Sequence, residues 1–450
     1  MTAKERIQEV LEKCLRFASA DQTEVVVTGQ DTYLTRYATN YIHQNTAETD
    51  TQVSVRSVFG KKIGLAQTNA LDDASLKRTV EHAERIAKVQ PDLLDFLSLP
   101  SKDDAGEITA QAVFSDRTAA STAEERARAV GRITALSVKN GFDAAGAFST
   151  AVVRLGIANS LGIRRYTEAT RANLSAIVMG PTGSGFAEGL QSDVGKMAVD
   201  RVAETAVGKC RDAQNPVAVE PGDYEVILEP AAVADMIQFL AYMGLGALAL
   251  QEGRSFMSGR IGQKVTGENF TLWDDGTDPA GMAIPFDFEG VRRQKVMLIE
   301  KGVAKSVVYD SYTAGREPGK KSTGHALPPA AQIGALPLNL FMKPGDAEVE
   351  DLIKATKRGI LVTRFHYTNP LHPVLTTITG MTRDGTFLVE NGKVKSPIKN
   401  MRFTNGILDA FDAIEAIGKR PALVDMFGLG VCSAPAVKLK KFSFTGGTEH

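Results

Sequence analysis

The sequence predicts an α+β protein: a duplicated helix–strands–helix unit with a mixed or antiparallel sheet, followed by an antiparallel, β-rich, barrel-like domain. Two observations predict this class. A series of amphipathic helices and strand-like runs occurs twice in the first half, and short strand-like runs with turn signals dominate the second half. At 450 residues the chain is too long for one ordinary domain. We therefore expect an N-terminal domain at 1–214 and a C-terminal domain at 215–450.

The first copy of the unit covers about residues 4–90. Its opening helix is indicated by apolar residues at helical spacing, from Ile7 to Cys14. Strand-like runs follow in TEVVVTG, TYLTRYATNYIHQNT, TQVSVRSVFG and KKIGLAQTN. The closing helix is expected in DDASLKRTVEHAERIAK, where Asp72 or Asp73 is the candidate N-cap.

The second copy covers about residues 121–211 in the same order. Helical patterns in TAEERARAVGRITALSVKN and VGKMAVDRVAETAVGKC flank the strand-like runs TAVVRLGIAN, GIRRYTEATR, ANLSAIVMG and GFAEGLQ. The copies align at a constant offset of 121 residues, so that Thr46 aligns with Thr167 and helix 73–89 with helix 194–210. Chance similarity between two α+β segments is the alternative. Duplication predicts amphipathic helices that cover one face of a shared sheet.

The second half is expected to begin with a linker and strand at 215–230, followed by a buried helix in the apolar run 236–250. That run of 15 residues is shorter than the roughly 20 that a membrane span requires. Further helices are expected at 347–358 and 405–418. Strands are predicted in QKVMLIEKGVAKSVVYD, GILVTRF, VLTTITGMTRDGTFLVENGKVKSPIKNMRF and the final AVKLKKFSF, with hairpin turns at RDGTF and ENGKV.

Composition argues against several classes of protein. Lys and Arg number 52 and Asp and Glu 53, which gives a formal net charge of −1, whereas nucleic-acid binders normally carry a basic excess. Cys14, Cys210 and Cys432 form no CxxC or CxxH pair, so neither a disulfide framework nor a zinc finger is indicated. The N-terminus lacks the apolar region of a signal peptide. We therefore expect a cytoplasmic protein without nucleic-acid or membrane partners.

Four long motifs follow one another in the second half: EGRSFMSGRIGQKV, DDGTDPAGMAIPFDFEGVRRQKVMLIEKGVAKS, RGILVTRF and GTFLVENGKVKSPIKNMRFT. Together they resemble the TldD/PmbA family, also called the TldD/TldE or modulator-of-DNA-gyrase family. The resemblance covers essentially the whole second half, and the first half follows more weakly through its repeated layout.

The resemblance implies a cytosolic TldD–TldE heterodimer, or a homodimer, that processes short or unfolded peptides, including peptide antibiotic precursors and antitoxins. TldD-type chains of the family look like zinc metallopeptidases that carry HExxxH on a helix, with a C-terminal Cys completing the metal site. TldE/PmbA-type chains lack that motif and serve as partner subunits. No DNA binding is implied by the gyrase label.

The family's metal motif can be located by counting from SGRIG at 258–262, which resembles the loop after the metal helix. Without a gap, QFLAYMG falls where HExxxHG should be. Gln238 and Met243 then take the two His positions, and Phe239 takes the Glu position. A neutral amide is a weak ligand, a thioether suits Zn²⁺ poorly, and a phenyl ring accepts no proton.

LGVCSAP resembles the family's C-terminal Cys region, which puts Cys432 at the position of the third ligand. One thiolate cannot hold a catalytic zinc ion alone. We therefore predict no catalytic residue, zinc or other cofactor in this chain, and expect the zinc ion in a TldD-type partner. We therefore expect a core helix in which Phe239 and Met243 fill space, and a cryptic metal site is the alternative.

Two loops carry candidate substrate-binding residues. RSFMSGRIG contains Arg254, Ser258 and Arg260, and the resemblance places this loop beside the cleft. Arg side chains there could clamp a peptide carboxylate with two hydrogen bonds, and a plain surface loop is the alternative. His325 lies in GKKSTGHALPP, where the resemblance implies a substrate-proximal loop. A solvated loop histidine is the alternative interpretation, and the one we expect.

Other candidates depend on distant partners. His366 and His372 in RFHYTNPLHP would need a third ligand from elsewhere to bind a metal ion. Cys432 would become a nucleophile only if His325 or His366 approached it; a buried, inert cysteine is expected instead.

The leading hypothesis is a TldE/PmbA-like, non-catalytic subunit that pairs with a TldD-type HExxxH homologue and holds an extended peptide by backbone pairing to an exposed strand. Two alternatives stay open. One is a stand-alone hydrolase with non-zinc chemistry built around Cys432. The other is a homodimeric peptide-binding or regulatory protein.

Overall fold

The computed structural model describes residues 2–448 with the exception of Gln332, Phe427 and Leu429. In its first half, a helix, three strands and a helix occur twice, joined by a connection that contains two short helices. The elements, in chain order, are α1 (Ala3–Phe17), β1 (Gln22–Ala38), β2 (Tyr41–Phe59), β3 (Lys62–Thr68), α2 (Asp73–Val89), α3 (Lys102–Ala105), α4 (Asp116–Ala119), α5 (Ala123–Lys139), β4 (Asp143–Asn159), β5 (Arg164–Met179), β6 (Ser184–Gln191) and α6 (Val199–Asp212).

These six strands form one antiparallel sheet in the order β3-β2-β1-β4-β5-β6. The first strands of the two copies, β1 and β4, pair at the centre. The copies therefore lie side by side, with β3 and β6 at the outer edges. This layout confirms the duplicated unit.

Local signals set the helix starts. Thr2 and Glu5 form a capping box at the start of α1, and Thr122 and Glu125 form the same box at α5. Asp72, one of the two predicted N-caps, caps α2. The two copies thus begin their first helix with the same local chemistry.

One glycine in each copy permits a very close approach of helix and strand. A β-carbon on Gly64 would lie 2.1 Å from the carbonyl oxygen of Ala83 in α2, and one on Gly185 would lie 2.2 Å from that of Ala206 in α6. Both distances are far below van der Waals contact, so only glycine fits. Because 185 − 64 = 121, these glycines align at the predicted offset. The duplication therefore extends to how the helices pack.

The structure corrects two expectations in this half. TYLTRYATNYIHQNT is not one strand, because the chain turns at Thr39 and Asn40, whose φ angles are 49° and 64°, and divides the run between β1 and β2. The last helix does not begin at 194. Residues 194–196 form a 3₁₀ turn capped by Asp193, and α6 follows it.

The helices cover one face of the sheet, because side chains alternate along each strand. On β1, Val25 and Val27 pack with the apolar residues of α1 and α2. Val26 points the other way and packs with Ala105 and Phe286. The second face is therefore covered by the connection between the copies and by the second half of the chain.

The second half folds around a barrel. Its elements, in chain order, are β7 (Gly222–Leu228), α7 (Pro230–Gly244), α8 (Ala247–Gln251), β8 (Leu272–Asp275), β9 (Lys295–Glu300), β10 (Val303–Ala304), α9 (Ser311–Gly315), β11 (Asn339–Met342), α10 (Val349–Lys354), β12 (Arg358–His372), β13 (Thr377–Glu390), β14 (Lys393–Pro397), β15 (Met401–Gly406), α11 (Ile407–Asp412), β16 (Ile414–Ile417), β17 (Ala422–Met426), β18 (Gly430–Ala434) and β19 (Val437–Gly447).

Strands β12, β7, β19, β15 and β13 pair in that order, and β13 pairs back to β12, which closes a five-stranded barrel. A second sheet has the order β10-β9-β8-β11-β18-β17. The barrel-like prediction is confirmed. Most pairs are antiparallel, whereas β7–β12 and β11–β18 are parallel. The predicted final strand, β19, is part of the barrel wall.

The two predicted hairpin turns have different outcomes. ENGKV is a turn between β13 and β14, and both Asn391 and Gly392 have positive φ. RDGTF is not a turn. Asp384 and Gly385 also have positive φ, but they lie inside β13, where the register to β12 shifts opposite Thr363. The same local conformation therefore makes a β-bulge here.

The expected helices of this half are shorter in the structure. The helix expected at 347–358 is only α10, and the one expected at 405–418 is only α11. Helix α11 ends early because the residues after it form β16, which pairs with β19. The run 236–250 is divided between α7 and α8, because the backbone around Gly246 bonds to Val308. Among the described residues, no helix combines the length and apolarity needed to cross a membrane.

Candidate functional site

Helix α7 lies in the core of the second half and carries Gln238, Phe239 and Met243, which the sequence predicts at the positions of the family's metal motif. Pro230 occupies its first turn, where a missing N–H costs nothing. The helix packs against β12, β17 and β18. Its side chains are buried on nearly every side: Ala232, Val233, Ala234, Met236, Ile237, Gln238, Phe239, Leu240, Ala241 and Met243.

The loop after α8 folds back onto the end of α7. Ser255 Oγ donates a hydrogen bond to the carbonyl oxygen of Gly244 (2.6 Å), and the N–H of Met257 donates to Ser255 Oγ (3.0 Å). A side chain at Gly244 would collide with Phe256, whose ring lies 2.6 Å from the β-carbon position. The buried residues Ser255, Phe256 and Met257 therefore anchor this loop, and the other residues of RSFMSGRIG reach the surface.

The predicted metal positions are all buried in the second half of the chain. Gln238 is 8% exposed, Phe239 6%, Met243 2% and Cys432 0%. Phe239, Met243 and Cys432 belong to the same buried cluster. Burial raises the pKa of the Cys432 thiol far above its usual value, so the thiol is protonated at neutral pH.

These residues do not fit a catalytic zinc ion. An amide, a phenyl ring, a thioether and a protonated thiol offer no set of three strong ligands and no base. Across the described part of the chain, no three His, Cys, Asp or Glu residues are grouped as metal ligands would be. The side chains at these positions therefore support no reaction step that passes through a bound metal ion.

Asp235 lies on α7 one turn before Gln238, and sequence reasoning missed it. Its carboxylate accepts a hydrogen bond from Thr368 Oγ1 (2.5 Å). Burial raises the pKa of Asp235 to about 6, although Thr368 and Arg364 act in the opposite direction. An acid inside an otherwise apolar helical run was the available signal for it. It is a titratable group beside the filled metal positions.

The three predicted substrate-binding residues of the loop after α8 lie at or near the surface. Arg254 is half-exposed and forms an ion pair with Glu252. Arg260 donates a hydrogen bond to the backbone oxygen of Lys264 (3.2 Å), and Ser258 Oγ donates to that of Leu250 (3.1 Å). The arginines are accessible, and their present partners lie within the loop. Peptide binding by these residues stays a prediction.

His325 corrects the expectation of a solvated loop, because it is 0% exposed. Its Nε2 lies 2.8 Å from the carboxylate of Asp274, and its Nδ1 lies 2.9 Å from Thr323. The buried Asp274 needs hydrogen-bonding partners, and the imidazole supplies one. Any effect of His325 on a substrate would therefore pass through the position of its loop.

The other two candidate histidines, His366 and His372, lie on the β12–β13 hairpin. His372 Nδ1 accepts a hydrogen bond from the N–H of Leu375 (3.2 Å). Partial burial lowers the pKa of His366, with Arg383 and Arg364 acting in the same direction. Neither belongs to a group of metal-ligand type among the described residues.

A groove of about 540 Å³ runs between the two halves of the chain. Two strands line it: β6, which pairs with β5, and β17, which pairs with β18. Each is the last strand of its sheet, so one side of its backbone is unpaired within the described residues. We call this the edge-strand groove. Its remaining wall includes the start of α7 and the side chains of Arg201, Lys209, Glu348, Lys419 and Arg420.

Two polar groups of the edge-strand groove have unusual surroundings. Burial, with nearby Asp425, raises the pKa of Glu188 to about 7, while Arg364 and Arg171 act to lower it. Thr363 Oγ1 is buried without a hydrogen-bond partner in the described structure. The groove therefore combines unpaired strand edges with polar side chains that still have bonding capacity.

Comparison with known proteins gives the family. Residues 221–446 match the PmbA/TldA metallopeptidase C-terminal domain, and residues 23–87 match PmbA/TldA metallopeptidase domain 1. The chain belongs to the PmbA/TldD family. This confirms the resemblance drawn from the sequence motifs.

Relatives of this PmbA/TldD chain include proteins named as metalloproteases. It is 32% identical over 218 residues to an uncharacterised protein of Methanocaldococcus jannaschii, covering 48% of this chain and 49% of that protein. It is 29% identical over 213 residues to a protein of Buchnera aphidicola (subsp. Acyrthosiphon pisum) named "Metalloprotease TldD homolog", covering 44% and 43%. The chain spans about half the length of the curated relatives it matches.

Solved structures show the same fold over nearly the whole length. TldE from Thermococcus kodakarensis superposes with a TM-score of 0.88 at 20% identity, covering 98% of this chain and 100% of that one. A protein of Thermotoga maritima described as a putative modulator of a DNA gyrase gives 0.84 at 18% identity, covering 99% and 100%. At these identities the likeness concerns the fold alone. The fold of the PmbA/TldD chain is thus that of TldE.

Proposed function

We propose that this chain is a TldE/PmbA-like, non-catalytic subunit of a TldD/TldE-type metallopeptidase complex that acts on short or unfolded peptides. One observation carries the proposal. The three positions that would supply two ligands and a base hold Gln238, Phe239 and Met243, each at most 8% exposed. A water molecule activated by a metal ion needs both an open coordination position and a base.

The zinc ion and the general base then come from a TldD-type partner. The "Metalloprotease TldD homolog" of Buchnera supports the existence of such chains within the family. A self-association in place of this heterodimer is the alternative assembly. We also propose a cytoplasmic location for the complex, which is what the resemblance to the family implies.

The edge-strand groove is the proposed peptide site. An extended peptide can add to an exposed strand through backbone hydrogen bonds, which select for an unfolded chain and not for a particular sequence. Strands β6 and β17 each offer such an edge. Arg201 on its wall supplies a positive charge for a peptide carboxylate, whereas Lys419 and Arg420 are paired with Glu348. Arg254, Ser258 and Arg260 remain candidates for contacts outside the groove.

A hydrolase built around Cys432 has less support. Its thiol is fully buried and its raised pKa keeps it protonated, whereas a nucleophilic cysteine needs an accessible thiolate. Of the two histidines considered as activators of Cys432, His325 and His366, His325 is held by Asp274 and Thr323.

The test is metal analysis and a peptidase assay on the purified chain, with an HExxxH-bearing homologue treated identically as the positive control. We expect no stoichiometric zinc and no cleavage by the chain alone, and cleavage when the homologue is added. About one tightly held zinc ion per chain would refute the proposal.

The groove is tested separately. Replacing Leu423 by Pro removes a backbone N–H from β17, a strand that lines the groove, and should weaken binding of an unfolded peptide to the complex. Leu423→Ala is the matched control, since it keeps the N–H. Equal peptide binding by both variants would move the peptide site elsewhere while leaving the subunit role intact.

A further inference from the structure

A second cavity, of about 510 Å³, lies where the face of the N-terminal sheet opposite its helices meets the second half of the chain. We call it the junction cavity. Strands β1 and β2 contribute Glu24 and Arg56, and the second half contributes Glu289 and Asp310. Its size is that of a small-molecule site. It shares no lining residue with the edge-strand groove or with the filled metal positions.

The charged residues of the junction cavity are linked through one arginine. Arg56 Nη2 lies 2.8 Å from Glu24 Oε1 and 3.1 Å from Glu289 Oε1. Three carboxylates, including that of Asp310, face one guanidinium group. When all are ionised, two negative charges are left in excess.

Two of the three carboxylates have other partners. Glu289 accepts hydrogen bonds from the N–H (2.9 Å) and Oγ (2.7 Å) of Ser311. Asp310 accepts from the N–H (2.7 Å) and Oγ1 (2.6 Å) of Thr313. Neither carboxylate therefore depends on a ligand in the cavity.

Glu24 differs from them. It is 0% exposed, and neither of its carboxylate oxygens accepts a hydrogen bond from any described residue. Its contact with Arg56 is an ion pair at Oε1, and Oε2 has no partner. A buried carboxylate without hydrogen bonds is costly, and native structures rarely keep one without a reason.

The second copy of the unit shows that the fold itself does not need this charge. Glu24 and Arg56 are directly opposite each other in the β1–β2 register. At the offset of 121, their counterparts are Ala145 and Ile177, which are directly opposite each other in β4–β5. An apolar pair thus suffices at this place in the sheet. The charged pair is therefore explained by the cavity that it lines and not by the needs of the sheet.

The rest of the cavity wall is apolar. It is formed by Leu93, Phe96, Leu248, Phe288, Tyr312 and Pro328. A metal ion is a poor fit, because hard cations take about six oxygen ligands and no group of metal-ligand type occurs in the described residues. An ammonium group fits better, since it donates three hydrogen bonds and can carry an apolar body.

We propose that the junction cavity binds a primary ammonium group carried on an apolar body, with Glu24 as its counter-ion and hydrogen-bond acceptor. The body packs against the aromatic and aliphatic wall, and Arg56 holds the Glu24 carboxylate in place. The ligand is a small aralkyl amine or the free N-terminus of a peptide that begins with an apolar residue. This site is independent of the proposed subunit role.

Calorimetric titration of the full chain with phenethylamine tests the proposal. We expect saturable one-to-one binding and no binding of N-acetylphenethylamine, which has the same ring but no charge. Glu24→Gln should weaken phenethylamine binding about tenfold or more, because the charged acceptor is lost. Glu48→Gln, the same change at an exposed position of β2, should leave the affinity unchanged.

A second variant guards against misfolding of Glu24→Gln. Leu93 is partly exposed at the cavity, and Leu93→Trp should fill the space and weaken binding with Glu24 intact. Equal binding of the amine and its acetylated form, or undiminished amine binding in both folded variants, would overturn the proposal.

Two further probes distinguish the sources of the ammonium group. Phe-Ala-amide and its N-acetylated form present the same side chain with and without a free N-terminus. Binding of Phe-Ala-amide but not of the acetylated form supports a peptide N-terminus. Binding of phenethylamine alone supports a small amine.

Discussion

The two copies of the N-terminal unit agree where helices meet strands and differ where the sheet meets the second half of the chain. Gly64 and Gly185 align and permit the same close helix contact. Glu24 and Arg56, by contrast, align with the apolar pair Ala145 and Ile177. The charged pair is the more deeply buried of the two, which inverts the usual preference. The helix–strand contact is thus the same in both copies, while the face of the sheet that meets the second half of the chain differs between them.

The largest expected effect comes from breaking the charged pair in the first copy alone. Arg56→Ile should lower the free energy of unfolding by about 3 kcal/mol or more, because it leaves buried carboxylates without their cation. Adding Glu24→Ala, which approaches the pair of the second copy, should recover part of that loss. Differential scanning calorimetry of the full chain measures both.

The matched control for this prediction is Arg132→Ala. Arg132 pairs with Asp200 on the surface of the second copy, where both side chains are more than half exposed. Its loss should cost at most about 0.5 kcal/mol. Comparable losses of stability for Arg56→Ile and Arg132→Ala would show that the buried ion pairs of Arg56 contribute no more to stability than a surface ion pair does.

The next-largest effect tests the close helix–strand contact that the two copies share. Gly64→Ala and Gly185→Ala should each destabilise by about 2–3 kcal/mol, because the new methyl group overlaps a backbone oxygen of the facing helix. Similar losses of Tm in the two variants are expected. A large loss at one site with none at the other would mean that the copies pack differently.

A pH effect should distinguish the copies. Burial raises the pKa of Glu24 to about 7, with Glu289 adding to the rise and Arg56 opposing it. The folded chain then holds a proton that the unfolded chain releases near its ordinary pKa of 4.5. This contribution to stability is present below that value and is lost as the pH rises toward about 7, by at most about 3 kcal/mol.

We therefore expect Tm to fall between about pH 5 and about pH 8, and to fall less steeply in Glu24→Gln. Asp287, whose pKa burial also raises, adds to the same slope in both proteins. A Glu24→Gln slope as steep as that of the unmodified chain would show that Glu24 is not the titrating group.

The smallest effect concerns helices of the second copy. Gly131 in α5 and Gly208 in α6 face open space, and α1 and α2 of the first copy contain no glycine. Gly131→Ala and Gly208→Ala should each stabilise by about 0.5–1 kcal/mol, because alanine loses less backbone entropy on folding. A drop in Tm for either variant would show that the new methyl group collides with a neighbouring residue.

Local chemistry explains which sequence predictions succeeded. The capping residues Thr122 and Asp72 mark helix starts that need no distant partner. Asn391–Gly392 makes its turn for the same reason. Asp384–Gly385 has the same signal but lies inside a strand, because the pairing of β12 with β13 continues past it. A turn signal specifies backbone conformation and not the path of the partner strand.

The candidate site also has features that follow from residue identity alone and features that depend on distant partners. Gln238, Phe239 and Met243 cannot act as zinc ligands and base whatever surrounds them, so their identities were enough to predict a degenerate metal motif. The burial of His325, by contrast, follows from its pairing with Asp274, 51 residues away. The unusual environment of Asp235 likewise depends on Thr368, 133 residues away.

The sequence by itself determined the repeated unit, several of the helix starts and the family motifs, because periodicity, caps and side-chain chemistry are local properties. Only the tertiary structure decided that β6 and β17 end their sheets on either side of one groove and that Glu24 is buried beside Arg56, which also pairs with Glu289. Those features depend on strand order and on contacts between the two halves of the chain. Such contacts join residues hundreds of positions apart, and no local pattern encodes them.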